Sequence, residues 1–226
     1  MKRSRLRLGT SIAMLALAAL SVTGCSTGPD PSDLATPEVV WPSGEPSGLF
    51  EDTEWVKAFR AEQVAEAVAW NAMDFSDKNL VESLGYQAAK DYAENRLSWR
   101  HDFVITGDAK IARENLMPGP EPTAVLDVID DGSQGATLVV CSESRLDQTG
   151  RQLYVYDARS RGEGQHWVNG VSGNRLPSGA KSKDAYDAEC EATTIPVGNF
   201  DPAPVPNLDP DAKVIGPAAK DKYNLD

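Results

Sequence analysis

Residues 122–143, PTAVLDVIDDGSQGATLVVCSE, decide the fold, because they hold the clearest β-hairpin pattern in the chain. Two runs rich in β-branched residues lie on either side of Asp131-Gly132, a pair that suits a tight reversal between antiparallel strands. An isolated hairpin is at best marginally stable in water, so it needs further strands or a helix against one face. The segment therefore predicts an antiparallel sheet on which other elements pack.

Shorter extended runs follow the hairpin. RQLYVYD (151–157) and HWVNGV (166–171) have the alternation and the β-branched or aromatic content of strands. We expect AECEATTI (188–195), which carries Cys190, to form a last short strand after a polar loop. HDFVITG (101–107) is a further strand candidate ahead of the hairpin.

Two consecutive amphipathic helices are predicted before the sheet. Residues 54–73 are dense in Ala, Glu, Gln and Lys, which are good helix formers. Their apolar members recur at near-helical spacing and are Trp55, Phe59, Val64, Ala67 and Val68. After a break in which Ser76 or Asp77 can cap the next helix, a second set steps by four residues: Leu80, Leu84, Ala88 and Tyr92. Helices followed by antiparallel strands predict an α+β fold.

The first 25 residues have the organisation of a secretory leader. Four basic residues precede a short apolar run, and small residues then lead to Cys25. The run is too short to span a bilayer as a helix. VTGC (22–25) resembles the lipobox of bacterial lipoproteins, whose cysteine takes a diacylglyceryl group, becomes the N-terminus and is often acylated. The resemblance implies a lipid anchor on Cys25 at the extracytoplasmic face of the cell membrane; an ordinary secreted protein is the alternative.

Charge restricts the partners. The leader holds four of the 22 basic residues and none of the 34 acidic ones, so residues 25–226 carry a formal charge of −16. We expect no nucleic-acid partner, because binding to phosphates needs a surplus of basic side chains. The same charge is repelled by anionic head groups, so the lipid on Cys25 is the expected membrane contact.

Cys141 and Cys190 are the two cysteines that remain beyond Cys25. Secreted chains commonly pair such cysteines, which predicts a disulfide; the alternative is a two-cysteine metal site. A metal would need further ligands, yet His101 and His166 are the only histidines and no CxxC or HxxxH string occurs. We therefore expect the disulfide, and we expect no metal and no other cofactor.

Composition divides the chain into four parts. Residues 1–24 form the leader, and 25–50, rich in Pro, Ser and Gly, are expected to be a flexible tether. Residues 51–195 form the α+β domain. Residues 196–226 are acidic and Pro-rich, and we expect a disordered tail, ordered at most where it lies on the domain. Trp41 in the tether is either docked on the domain or exposed.

The order of elements in the domain resembles that of small lipoproteins of high-GC Gram-positive bacteria with a nuclear transport factor 2-like (SnoaL-like) roll. The strings that carry the resemblance are VTGC, EWVKAFRAEQVAEAVAW, YQAAKDYAENRL and LVVCSES. It implies N-terminal helices on a curved antiparallel sheet around a cone-shaped interior. It also implies a disulfide from the hairpin cysteine to one in a later strand, here Cys141 to Cys190. Folds of this type host enzymes, binders and inert scaffolds.

No candidate site residue lies in a catalytic motif. Tyr154 and Tyr156 share one strand face and are candidates for lining a pocket. Trp99 and His166 are further lining candidates, whereas the helix tryptophans are otherwise expected in the core. The chain has no GxSxG string for a nucleophilic serine and no phosphate-binding loop.

Acid–base candidates come from the predicted strands and are Asp102, Asp127, His101 and His166. Asp127 should lie on the solvent face, because it alternates with Leu126 and Val128.

Two functions of different class follow from these observations. The first is a non-enzymatic lipoprotein that binds an unknown small molecule or envelope protein. The second is a SnoaL-like isomerase, cyclase or hydrolase that uses an acid–base residue in the cone. A third possibility is an accessory subunit whose acidic surface meets a basic partner.

Overall fold

The computed structural model describes residues 30–95, 115–132, 135–143, 150–162, 165–171, 176–206 and 213–223. Within these ranges the protein is α+β, as predicted, with a four-stranded antiparallel sheet and a separate two-stranded sheet. In chain order the elements are β1 (Glu38–Val40), α1 (Glu54–Ala72), α2 (Lys78–Leu84), α3 (86–95), β2 (Thr123–Asp130), β3 (Gly135–Glu143), β4 (Arg151–Gly162), β5 (Gln165–Val171), α4 (Lys183–Ala192) and β6 (Asn199–Asp201). A short 3-10 turn follows at Lys220–Lys222.

The large sheet is a simple meander. Its order is β2-β3-β4-β5, so each strand pairs with its neighbour in sequence, and every pairing is antiparallel. The hairpin predicted from residues 122–143 is confirmed as β2 and β3, with Asp130 opposite Ala136 next to the turn. The predicted strands at 151–157 and 166–171 correspond to β4 and β5.

Helices cover both faces of this sheet. Leu138 and Val140 of β3 pack beneath α1 with Phe59, whereas Val139 and Cys141 point to the other face and meet α4. Burial on both faces explains why β3 reads as a continuous apolar run instead of alternating with polar residues. The α2 helix lies beside α1 and also contacts β5.

The second predicted helix is two helices. Asp77 caps α2, and its carboxylate accepts hydrogen bonds from the backbone N–H of Leu80 at 3.2 Å and of Leu34 at 2.9 Å. Gly85 ends α2 with a φ of 95°, a conformation that glycine adopts at little cost, and α3 begins directly after it. The four-residue spacing of apolar residues continues across this break, so periodicity alone did not reveal it.

The predicted last strand at residues 188–195 is wrong. The chain forms α4 over Lys183–Ala192, capped by Ser182, whose side chain accepts from the N–H of Ala185 at 3.3 Å. Tyr186 and Cys190, one helical turn apart, are both buried against the sheet. Thr193 and Thr194, which suggested a strand, follow the end of the helix.

The flexible tether and the disordered tail are corrected for the residues that the structure describes. Strand β1 pairs with β6, so Val39 lies opposite Phe200 and a part of the expected tether forms a small sheet with a part of the expected tail. Trp41 is docked, since a Cβ built on Gly198 would stand 2.9 Å from its ring. In the tail, Tyr223 is 5% exposed and belongs to the same core cluster as Phe200. Composition indicates how apolar a segment is, but not whether its backbone pairs with another strand.

Candidate functional site

Two acidic residues lie on the buried side of α1. Glu62 is 2% exposed and Glu66 is partly buried, one helical turn further along. At 3.6 residues per turn, both carboxylates fall on the stripe that also carries Phe59 and Trp70. The Nε2 of Gln63 donates a hydrogen bond to Glu62 Oε2 at 2.7 Å.

Tyrosines from two other elements surround these carboxyl groups. Tyr92 of α3 donates a hydrogen bond to the Glu66 carboxylate. Tyr156 of β4 packs on Phe59 with ring centroids 4.9 Å apart, and Tyr154 lies 6.3 Å from Tyr156 by the same measure. We call Glu62, Glu66, Tyr92 and Tyr156 the carboxyl–tyrosine cluster.

Burial controls the electrostatics of the two acids. Loss of solvation raises the pKa of Glu62 from 4.5 to about 7, against the opposing effect of the Gln63 hydrogen bond. Burial also raises the pKa of Glu66 well above its usual value, and the charges of Glu62 and Glu121 act in the same direction. The pair therefore resists carrying two charges and holds a proton into the neutral range.

The phenols respond to the same charges. Repulsion by Glu66 is the largest cause that raises the pKa of Tyr92 well above 10, followed by burial. For Tyr156 burial comes first, and the charges of Glu62 and Glu66 add to it. Both phenols are protonated at neutral pH, as ordinary tyrosines are, and can donate hydrogen bonds beside the two acids.

Chemically, the cluster supplies both partners of a proton transfer. A carboxyl group with a pKa near neutrality donates or accepts a proton equally readily at physiological pH. When ionised, the same group attracts a cation, and tyrosine faces add to that attraction.

His166 lies apart from this cluster. It lines a cavity of about 580 Å³ between residues 36–39, α1 and α2. The edge of its ring contacts Trp55, with ring centroids 4.5 Å apart. The structure thus brings Tyr156 to the two glutamates, with Tyr154 adjacent, and places His166 at a different surface.

Asp127 is not on the solvent face that strand alternation predicts. The register of β2 shifts between Val125 and Asp127, so Leu126 is an extra residue and Asp127 turns toward α4. There its Oδ2 accepts a hydrogen bond from Tyr186 Oη at 2.6 Å. This places Asp127 in the packing of α4 and not beside the carboxyl–tyrosine cluster.

Several predicted residues lie outside the described ranges. These are Cys25, Trp99, His101 and Asp102, together with the strand candidate at 101–107. Cys141 and Cys190 form the disulfide that the cysteine count predicts, with Cα atoms 5.3 Å apart. The resemblance implied that the second cysteine lies in a later strand. Instead, the bond joins β3 to helix α4.

Glu62 and Glu66 were missed at the level of sequence, although a signal was present. Both positions lie on the helical stripe of Trp55, Phe59 and Trp70. If this stripe packs on the core, a glutamate on it is expected to be buried. The glutamates of an Ala- and Glu-rich helix are usually exposed, so Glu62 and Glu66 were not singled out as buried residues.

The described ranges contain neither a candidate metal site nor a helix able to span a membrane. No group of three or more His, Cys, Asp or Glu residues in the described ranges is arranged to hold a metal ion. None of the helices found there has the length and apolarity needed to cross a membrane. Comparison of the chain with protein-family models, with curated proteins and with solved structures finds no match.

Proposed function

We propose that this protein is an extracytoplasmic lipoprotein, anchored through Cys25, whose domain binds a small basic molecule at the carboxyl–tyrosine cluster. We propose further that the helices and the meander form a cone-shaped roll of the nuclear transport factor 2-like type, with the cluster inside it. The packing of α1 across one face of a four-stranded antiparallel sheet supports the roll.

One observation carries the binding proposal: Glu62 is buried and Glu66 partly buried on the core-facing stripe of α1, close enough for the charge of one to act on the other. Taking a carboxylate out of water costs several kcal/mol unless it is paired, and the costs of two neighbouring ones add. Aromatic residues occupy the same stripe at Phe59 and Trp70, and stability alone favours apolar residues at all such positions. Two acids at such positions therefore indicate a functional role.

The chemistry of the cluster selects the ligand class. An amine brings a positive charge that stabilises the ionised form of both glutamates, and therefore lowers their pKa on binding. The faces and hydroxyls of Tyr92 and Tyr156 supply cation–π contacts and hydrogen bonds. Binding at pH 6 should therefore release protons into solution, and the affinity should rise with pH because fewer protons then have to be displaced.

Calorimetry of residues 26–226 against a panel of primary and quaternary amines tests this proposal. Binding should weaken at least tenfold in Glu62→Gln and in Glu66→Gln. Glu54→Gln is the matched control, because Glu54 lies on the same helix with its side chain 64% exposed. Equal affinity in all three variants, or no binding by the parent protein to any amine, would refute the assignment.

The anchor has its own test. Mass spectrometry of the protein from an actinobacterial host should find diacylglyceryl on Cys25, and Cys25→Ser should move the protein from the membrane to the medium. An unmodified Cys25 in the parent protein would remove the lipoprotein proposal and leave an ordinary secreted protein.

A second candidate function rests on the pKa of Glu62, which lies near 7. That value suits a general acid–base residue in an isomerase, cyclase or hydrolase of SnoaL-like type. In this case a molecule that binds wild-type protein would be returned altered, and Glu62→Gln would bind it without changing it. Recovery of the unaltered molecule from wild-type protein would favour the binder.

A further inference from the structure

We propose that one end of the domain lies directly against the membrane surface. This end consists of residues 30–34, the start of α2 and the turn at Lys220–Lys222, and we call it the anchor end. The inference rests on the proposed lipid at Cys25 and adds to it a membrane-facing surface and an orientation. In this proposal the flexible link between the lipid and the domain is short and ends near residue 30, whereas the sequence predicted a tether over residues 25–50.

The first described residues are fixed to the domain by backbone hydrogen bonds. The N–H of Ser32 donates to the carbonyl of Ser76 at 3.2 Å, and the N–H of Lys78 donates to the carbonyl of Ser32 at 3.1 Å. The N–H of Leu34 donates to Asp77, which is 1% exposed. These bonds fix residues 32–34 alongside the start of α2, where Ser32 and Asp77 form an isolated parallel β-bridge.

Side chains strengthen the same attachment. Lys222 Nζ donates to Asp30 Oδ1 at 2.7 Å, and the two hydroxyls of Ser32 and Ser76 lie 3.2 Å apart. Tyr223, next to Lys222, donates to the carbonyl of Ser76 at 3.0 Å. The C-terminal segment thus packs against the N-terminal one, which is fixed by its backbone from Ser32 onward, and an exposed ion pair extends the contact to Asp30.

The distance from the lipid follows from chain length. Asp30 is five residues after Cys25. A fully extended chain spans at most about 3.6 Å per residue, so Asp30 lies within about 18 Å of the lipidated cysteine whatever path the chain takes. A free tether of 25 residues would instead have a root-mean-square reach of about 25–30 Å and a much longer maximum. The short link brings the anchor end to the head groups.

Charge at the anchor end permits this contact. Lys78 and Lys222 both act on Asp30, and the Lys222 hydrogen bond and charge are the main reasons why the pKa of Asp30 is lowered. Lys78 and Lys220 are exposed here, which offsets Asp33 and Asp221. Three lysines stand against four aspartates at this end, whereas residues 25–226 together carry a formal charge of −16, so anionic lipids repel it less than an average part of the surface.

The opposite side of the molecule then faces away from the membrane. The α2 helix lies on the α1 side of the sheet, and α4 covers the other face. Asp184 of α4 is exposed there and provides a reporter position remote from the anchor end.

The test uses the full lipidated protein in vesicles of phosphatidylglycerol and phosphatidylethanolamine that contain nitroxide-labelled head groups. A fluorophore is attached through Lys220→Cys or, as the matched control, through Asp184→Cys. Because Cys25 is lipidated and the other two cysteines are paired, the new thiol is the only free one. Quenching should be several-fold stronger at position 220 than at 184.

Three outcomes separate this proposal from the proposed function. Mass spectrometry that finds no lipid on Cys25 refutes the anchor itself. Lipidated protein with equal quenching at both positions refutes the orientation and leaves the anchor standing. A Gly-Ser insertion of about twelve residues between Cys25 and Asp30 should reduce quenching at position 220 by lengthening the link. Unchanged quenching in that variant also contradicts the proposed mechanism.

Discussion

Tyr186 Oη donates a hydrogen bond to Asp127 Oδ2 at 2.6 Å, and this bond joins α4 to the bulged part of β2. The Tyr186 side chain is fully buried, and burial is the main cause that raises its pKa to about 12, with the Asp127 bond second. The disulfide Cys141–Cys190 lies in the same core cluster. The helix α4 is thus tied to the sheet by the disulfide, by the Tyr186–Asp127 bond and by Arg151 of β4, whose guanidinium donates to the carbonyls of Cys190 and Glu191.

We expect Tyr186→Phe to lower the free energy of unfolding by about 1–2 kcal/mol, because a buried hydrogen bond to a carboxylate is lost while the ring packing is kept. Equilibrium unfolding in urea measures this change. Tyr154→Phe is the control, since the Tyr154 hydroxyl bonds to Gln152 on a partly exposed strand face and should matter less. Equal midpoints for Tyr186→Phe and wild type would show that the bond contributes nothing.

Loss of the disulfide should lower the free energy of unfolding by more than Tyr186→Phe does. The bond closes a loop between positions 49 residues apart, and chain entropy predicts a loss of about 4 kcal/mol for a loop of this length. The double variant Cys141→Ala/Cys190→Ala should show this loss in urea, and a thiol assay of the unfolded domain without reductant should find no free thiol at these positions. Two reactive thiols in the unreduced protein would contradict the pairing.

Glu62 should make stability fall as the pH rises. Its pKa in the folded state is about 7, above the 4.5 of an unfolded chain, so between these values the folded protein binds a proton that the unfolded chain has released. The folded state therefore loses roughly 3 kcal/mol as the pH rises from 4.5 to 7, and the loss is complete above that range. Unfolding in urea at several pH values measures the slope.

The variant Glu62→Gln keeps the shape of the side chain and removes its titration. It should be more stable than wild type at pH 8 and should have a smaller dependence on pH between 5 and 7, with Glu66 supplying what remains. Glu54→Gln, at an exposed position of α1, should keep the wild-type slope. A slope unchanged in Glu62→Gln would show that this carboxyl ionises freely in the folded protein.

Gly198→Ala should release the N-terminal segment from the domain. A Cβ at this position would stand 2.6 Å from Val39 Cγ1 and 2.9 Å from the Trp41 ring, so both side chains must shift and the packing of β1 is disturbed. Limited proteolysis should then cut residues 38–50 faster than in wild type. Gly48→Ala is the matched control, because its Cβ would meet nothing closer than 4.0 Å. Equal cleavage rates in the two variants would show that β1 tolerates the added methyl group.

Local sequence patterns were enough to predict most strands of the large sheet. β-Branched runs around Asp131-Gly132 predicted β2 and β3 correctly, since a hairpin depends on residues that are close in sequence. The cysteine count predicted the pairing of Cys141 with Cys190 because the chain leaves few alternatives. Helix α1 followed from its composition and periodicity for the same reason.

Long-range contacts decided what local patterns did not. The bulge that turns Asp127 toward Tyr186 depends on how β2 meets β3. Helix α4 differs, since its signals are local: Ser182 caps it, and its two buried residues, Tyr186 and Cys190, are four positions apart. The pairing of β1 with β6 joins segments about 160 residues apart, where composition predicts only loose chain.

The candidate site shows the same division. That Glu62 and Glu66 share one stripe of α1 can be read from the chain, because the helical period sets which positions face the same way. The burial of this stripe beside Tyr92 and Tyr156, which raises the pKa of both acids, depends instead on how α1 packs against α3 and the sheet. A pKa depends on exposure to solvent and on nearby charges, and the fold buries this side of α1 and brings Glu121 close to Glu66.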